Sequence, residues 1–299
     1  MKKILKYIGA IILAILMEIV FYYIDKTLAS LDYNIENDIV YQDGLVVHYL
    51  DVGQGDSIFI KFPNNKTMLI DAGEKEYGSK VVNYIKNLNY NKIDYIIATH
   101  PHTDHIGGLS LVIDSFDIGK IYMPKVTTTT YTYENLLKTI KNKGLKITTG
   151  VKGVNIINED DLKVSILSPQ DHDYDNLNNY SIVIKIVYKD RSFLFMGDSE
   201  KLIEKEITDD VSCDVLKIGH HGSSTSSSLD FLNKTNAKYA IISVAKNNDY
   251  HHPHESVIKN IKKSGMEILK TSDNGDIIIS TDGIDLAIKK GNDNNASNN

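Results

Sequence analysis

The stretch Thr99-His100-Pro101-His102-Thr103-Asp104-His105-Ile106-Gly107-Gly108 follows directly on an apolar run, residues 93–98 (IDYIIA). The run has the length and β-branched content of a buried strand. The end of such a strand is where a rigid sheet hands over to a loop that can carry chemistry. Three of the chain's 10 histidines fall in this loop, beside Asp104. Imidazole nitrogens and carboxylate oxygens without cysteine suit zinc, manganese or iron. His100, His102 and Asp104 alternate, Pro101 fixes φ, and Gly107 with Gly108 are expected to let the backbone turn sharply into a helix. One short loop can thereby aim ligands at two ions.

Outward from the loop, short apolar runs alternate with amphipathic ones. Residues 46–52, 57–62 and 68–71 read as a three-stranded meander with turns at 53–55 and 63–66. Further strands are expected at 120–123, 145–149, 162–167, 181–188, 193–196, 215–218, 239–244, 277–280 and 285–288. Helices are expected at 79–88, after Gly108, at 133–143, at 199–207 and between the later strands. Two β-rich halves that each bear helices predict an α/β fold of two packed sheets with helices outside, a four-layer αββα sandwich over residues 44–288.

Ahead of this domain, residues 7–24 (YIGAIILAILMEIVFYYI) are apolar except for Glu18 and follow Lys2, Lys3 and Lys6. At 1.5 Å per residue the run just spans a hydrocarbon core of about 30 Å. Lysines before it and no comparable cluster after it place the N-terminus in the cytoplasm and the body outside. Residues 1–30 therefore read as an N-terminal transmembrane helix that anchors an extracytoplasmic domain. A cleavable leader is the competing reading, since Thr27-Leu28-Ala29 offers small residues near a cut and would leave the protein secreted. Residues 289–299 read as a disordered polar tail.

The 299 residues carry 33 Lys plus Arg against 39 Asp plus Glu, a net charge of −6, and Arg191 is the sole arginine. This lacks the dense cationic stripe of a strong duplex binder. Cys213 alone excludes an internal disulfide and a multi-cysteine metal cluster.

Five further stretches accompany the histidine loop: VVHYLDVGQGDS (46–57), LIDAG (69–73), FLFMGD (193–198), LKIGHHGS (216–223) and YHHPH (250–254). With the HxHxDH pattern of THPHTDHIGG, the set resembles the metallo-β-lactamase superfamily. Within it, the set resembles the extracytoplasmic domain of ComEC-type competence proteins and their stand-alone relatives. The chain's one apolar span is not the polytopic channel of a complete ComEC protein. The resemblance implies two divalent metal ions, zinc first and manganese second. His100 and His102 would hold one ion, Asp104 and His105 the other, and Asp198 would bridge them. One of His220 and His221 would complete the first ion's shell while its neighbour faces substrate. The sequence leaves that choice open, and His221 is taken as the ligand. His252 would complete the second ion's shell, with His254 as the runner-up. Asp104, His220 and His221 are the expected catalytic residues. Many superfamily members place a ligand histidine about twenty residues before the bridging aspartate. Here residues 176–181 (NLNNYS) offer Asn178 and Asn179, unlike glyoxalase or true β-lactamase types.

For substrate, residues 222–228 (GSSTSSS) precede a helix, so their hydroxyls and amides are expected to form an anion site. Ser223, Ser224 and Thr225, together with Asp56 and His254, are the expected substrate contacts. A phosphate ester fits, which makes a phosphodiesterase or nuclease acting on DNA or on a phosphorylated wall polymer the leading function. Two alternatives stand beside it: a lactam, lactone or thioester hydrolase, and a non-catalytic binding component of DNA uptake.

Overall fold

The computed structural model describes residues 16–23 and 41–291. The chain divides into two units, 1–40 and 41–299. In the first, residues 16–23 are helical with exposed apolar side chains, among them Leu16, Phe21 and Tyr22. Among the described residues no helix is long and apolar enough to cross a membrane. Most of the anchor expected over 7–24 lies outside the described residues.

The second unit holds two sheets. The first comprises β1 (Leu45–Tyr49), β2 (Ile58–Lys61), β3 (Thr67–Ile70), β4 (Lys92–Ile97), β5 (Asp117–Met123) and β6 (Ile147–Thr149). The second comprises β7 (Asn155–Asn158), β8 (Leu162–Ser168), β9 (Val183–Tyr188), β10 (Arg191–Phe195), β11 (Val215–Lys217), β12 (Tyr239–Ile242) and β13 (Glu267–Lys270). The last strands, β14 (Ile277–Thr281) and β15 (Leu286–Lys290), return to the first sheet, giving the order β15-β14-β1-β2-β3-β4-β5-β6. The second sheet runs β13-β12-β11-β10-β9-β8-β7. The two sheets are therefore not the two halves of the sequence: β14 pairs with β1, Val47 opposite Ile279, and supplies the neighbour that the opening strand needs on its second edge. β15 also corrects the boundary of the tail, because Lys289 and Lys290 lie opposite Ile278 and Ile277 in its ladder. The pattern missed β7 and β13, which are the two edges of the second sheet. Edge strands need not alternate cleanly and commonly carry polar residues.

Leu45, Val47 and Tyr49 of β1 meet Phe193 and Phe195 of β10 in the core between the sheets, where the Tyr49 and Phe195 rings stack at 6.1 Å. Outside the first sheet lie α1 (Gly78–Asn87), α2 (Thr103–Ile106), α3 (Leu109–Ser115) and α4 (Tyr131–Asn142). Their apolar stripes, Val81 and Ile85, Val112, and Leu136, close over Phe59, Leu69 and Ile96. Outside the second lie α5 (Lys201–Glu206), α6 (Leu229–Thr235) and α7 (Glu255–Lys263). They bury Ile203, Phe231, Val257 and Ile261 against Leu194, Leu216 and Ala240. This is the expected αββα layering. Each sheet changes from antiparallel to parallel pairing partway across, at β3–β4 in one and at β10–β11 in the other. Parallel strands end on the same side, so the loops after β4, β10 and β11 are the ones able to converge.

Candidate metal centre

The first candidate ligands are set by the ends of β3 and β4. Asp71, just past β3, accepts from the Thr99 N–H at 2.8 Å and from the Thr99 hydroxyl at 2.6 Å, and lies 2.7 Å from His105 Nδ1. Because Thr99 gives its one hydroxyl proton to Asp71, its oxygen, 3.1 Å from His100 Nδ1, accepts from that nitrogen. His100 and His105 thus carry their hydrogen on Nδ1 and turn Nε2 inward, the arrangement that carboxylate-backed metal histidines use. His102, extended at φ −79° and ψ 149°, begins α2, which carries Asp104 and His105. Gly107 and Gly108 do not make the sharp turn expected of them, since both have right-handed helical dihedrals. They are needed for close approach: a Cβ on Gly107 would lie 2.5 Å from Lys75 N, and one on Gly108 would lie 2.4 Å from Ala72 O.

The second sheet supplies the rest. The Asp198 N–H donates to Ser181 Oγ at 3.0 Å, and the His220 N–H donates to the Gly197 carbonyl at 2.9 Å, joining the turns after β10 and β11. His220 and His221 are both left-handed, at φ 50° and 51°. That conformation costs a non-glycine residue about 1–2 kcal/mol, and such strain concentrates at functional sites. His221 Nδ1 donates to the Ser243 carbonyl at 2.9 Å, which leaves its Nε2 facing His105 Nε2 at 3.2 Å.

The two oxygens of Asp198 face different groups. Oδ1 lies 3.2 Å from His105 Nε2 and 3.4 Å from His221 Nε2, with Asp104 Oδ2 also 3.4 Å from His221 Nε2. Oδ2 lies 3.7 Å from His100 Nε2 and 3.7 Å from His220 Nε2, and His100 Nε2 is 3.0 Å from His102 Nδ1. One ligand atom each from Asp104, His105, Asp198 and His221 lie within 4.8 Å of one another, and so do those of His100, His102 and Asp198. Asp198 is buried, yet its Oδ1 has no hydrogen-bond partner among the described residues. A buried carboxylate oxygen surrounded by inward-turned Nε2 atoms fits a cation.

The charges agree. Burial pulls His221 down, but the Asp198 and Asp104 carboxylates beside it hold it at about 10. Burial also opposes protonation of His105, and Asp198, Asp104 and Asp71 together raise it well above the ordinary imidazole range. Burial would raise Asp104 and Asp198, yet the neighbouring imidazoles hold both below the usual carboxylate range. This set thus demands positive charge at the point its nitrogens face. His100, His102 and His220 go the other way, burial pushing each below the usual value.

His100, His102, Asp104, His105, Asp198, His220 and His221 come together as expected, but with different partners. His221 belongs with Asp104 and His105, while His220 approaches the His100 side of Asp198. His252 does not join the Asp104 set to which the sequence had given it. Its ring lies 5.5 Å from that of His220, and its Nδ1 is buried without a hydrogen-bond partner among the described residues. His254 accepts from the Ser224 N–H at 2.8 Å. Beside these groups a cavity of about 340 Å³ is lined by Gln54, His102, Asp104, His220, Tyr250 and His252, among others. Asn178 is buried beside His102.

The serine run does not form the expected anion site. The buried Glu204 carboxylate already accepts from the Ser227 and Ser228 N–H groups, and Ser228 Oγ accepts from Phe231 N–H at the start of α6. Ser223 is buried and Thr225 exposed, and their hydroxyls serve the loop itself: Ser223 Oγ accepts from Thr225, and Thr225 Oγ1 lies 3.1 Å from His220 Nδ1. Asp56 is corrected as a substrate contact as well, being 1% exposed and paired with Lys217 at 2.9 Å. The sequence reading missed Asp71 and Thr99 as orienting residues. Asp71 had a signal, since it stands in LIDAG at the end of a strand beside the histidine loop.

Comparison with known proteins places these features in context. Residues 50–246 match the family model described as the metallo-beta-lactamase superfamily. The chain is 32% identical over 251 residues to ComE operon protein 3 of Bacillus subtilis (strain 168), covering 77% of this chain and 32% of that protein. It is 29% identical over 237 residues to Recombination protein 2 of Haemophilus influenzae, covering 77% and 28%. Both are ComEC-like competence proteins. The chain spans about a third of the length of the curated relatives it matches. Among solved structures, it shares its fold with CmlA, a diiron beta-hydroxylase from Streptomyces venezuelae, at a TM-score of 0.52 and 15% identity over 76% of this chain and 52% of that one. It shares it equally with the metallo-beta-lactamase fold protein YhfI from Bacillus subtilis, at 0.50 and 13% over 75% and 95%.

Proposed function

The chain belongs to the metallo-beta-lactamase superfamily, and from that premise we propose that it is a dinuclear metal-dependent phosphodiesterase that cleaves DNA. The observation that carries the reading is Asp198, a buried carboxylate whose two oxygens face two separate histidine sets. His100, His102 and His220 would hold one ion and Asp104, His105 and His221 the other, zinc first and manganese second. When bound, such a pair lowers the pKa of a water toward neutrality and neutralises charge on the phosphoryl oxygens.

The chain's own residues do the rest. Asp71 and Thr99 hold Nδ1 of His105 and of His100, and so turn each ring's Nε2 toward the centre. Thr225 orients His220 at the cavity edge. None of the described residues lining the cavity is Lys or Arg, so the charge of a phosphodiester must be met at the metal centre. The exposed Tyr250 ring, stacked at 5.6 Å on His252, offers the mouth of the cavity a surface on which a base adjoining the scissile phosphate can stack. The names of the competence and recombination relatives favour DNA over a phosphorylated wall polymer.

The test incubates the full-length protein with single-stranded DNA, bis-p-nitrophenyl phosphate, a teichoic acid and nitrocefin, each with Mn²⁺, Zn²⁺ or chelator. Metal-dependent cleavage of DNA and of the model diester is expected. Turnover of nitrocefin alone, or of nothing, would refute the proposal. Action outside the cytoplasmic membrane belongs to the same proposal and rests on residues 7–24. A periplasm-type reporter fused after Ile24 should be active, and cytoplasmic activity would contradict it.

A further inference from the structure

Lys217 ends β11 with no exposed surface, and Asp56, in the loop after β1, is 1% exposed. Their charged groups meet at 2.9 Å, and Lys217 also donates to the Ile218 carbonyl at 2.9 Å. Neither lines the cavity. Burying such a pair removes two ions from water, a loss that their mutual attraction often fails to recover. Apolar side chains of similar volume often hold a core together as well, so stability alone is a weak reason for this pair.

Its location supplies a stronger one. Asp56 Oδ2 takes Lys217, while Oδ1 accepts no hydrogen bond among the described residues and lies 3.6 Å from His221 Nδ1. The main chain of the same residue reaches the other side of the set: the Asp56 N–H donates to the Asp104 carbonyl at 3.3 Å. Gly55, at φ 137°, passes so near that a Cβ there would lie 2.2 Å from that carbonyl. One loop therefore holds the backbone of Asp104 and sets a carboxylate against the back of the His221 ring, opposite its inward Nε2.

We propose that Asp56 and Lys217 are a positioning pair for the Asp104/His105/His221 set. Lys217 fixes the rotamer of Asp56, and the negative charge of Asp56 keeps the His221 ring oriented and electron-rich toward a cation at Nε2. The inference rests on the metal assignment made above.

The test compares the wild-type chain with the Asp56→Asn/Lys217→Gln double variant, which replaces the ion pair by a neutral hydrogen-bonded one. Metal affinities are read by competition with a chromophoric chelator and folding by thermal melting of the metal-free proteins. The double variant is expected to melt close to the wild type and to bind one ion about 10–100-fold more weakly, with the other unchanged. Two unaltered affinities would overturn the positioning role. Failure of the double variant to fold would overturn it as well, because the charges would then serve the fold. A wild-type protein that binds fewer than two ions would instead overturn the metal assignment beneath the inference.

Discussion

His105 and His221 have only 0% and 1% of their surface exposed, and the surrounding carboxylates hold both above the ordinary imidazole pKa. His102 and His220 are more exposed, in the cavity that Asp104 and His221 also line, and burial without enough nearby negative charge pushes both below it. The sets share Asp198 and little else. The enclosed set has an excess of negative charge that a cation satisfies. The more open one consists of neutral imidazoles, two of which, His102 and His220, line the space a substrate would enter. On the proposed dinuclear reading, the difference would give the tighter ion to the first and the more exchangeable one to the second.

The largest effect should come from removing what the sets share. Asp198→Ala is expected to lower hydrolysis by at least about 10³-fold and to weaken both metal affinities, with near-ultraviolet circular dichroism unchanged. One set retaining its wild-type affinity would show that Asp198 is not common to both.

Next in size, His221→Ala and His220→Ala should separate the sets. His221→Ala is expected to weaken binding of the tighter ion by more than the roughly 10–100-fold typical of losing an outer-shell partner, and His220→Ala to spare it while slowing turnover. Equal losses would erase the distinction. Proton release sharpens the same contrast. In the metal-free protein His221 titrates near 10, above the 6.5 of an ordinary imidazole. Its pairing with the carboxylates therefore stabilises the metal-free fold fully below pH 6.5, and that contribution is lost as pH rises toward 10. A cation replaces that proton and the one that His105 also carries, so affinity at the enclosed set should rise between pH 7 and 10, by up to about tenfold per pH unit for each proton displaced. His102 and His220 are held below 6.5, so the open set should show no such slope above neutrality. Isothermal titration calorimetry in buffers of different ionisation enthalpy counts the protons released at each step.

The smallest effect belongs to the cavity mouth. Tyr250→Ala is expected to raise KM for single-stranded DNA several-fold, while leaving kcat, both metal affinities and cleavage of bis-p-nitrophenyl phosphate unaltered. An equal loss on both substrates would place Tyr250 in the support of His252 rather than in contact with substrate.

The sequence disclosed the layers and most of the residues that gather at the candidate site, because buried parallel strands are continuous apolar runs and histidines are scarce enough for clusters to stand out. Their partnerships were hidden. Whether His220 or His221 turns toward His105 depends on two left-handed residues and on the Ser243 carbonyl, a contact made across 22 residues of chain. The serine run misled for a related reason: its amides are taken by Glu204, and no local pattern relates a helix start to a carboxylate 23 residues earlier. Lys217 and Asp56 are 161 positions apart, so their pairing follows from the packing of β11 against the loop after β1. β14 and β15 were visible as strands, but their place beside β1 is a matter of topology.

X-ray anomalous scattering from crystals of the zinc- or manganese-loaded protein addresses the shared carboxylate most directly. The expected result is two peaks about 3.5–4 Å apart on either side of Asp198, one among His100, His102 and His220, the other among Asp104, His105 and His221. A single peak, or a pair that leaves Asp198 uncoordinated, would contradict the dinuclear centre.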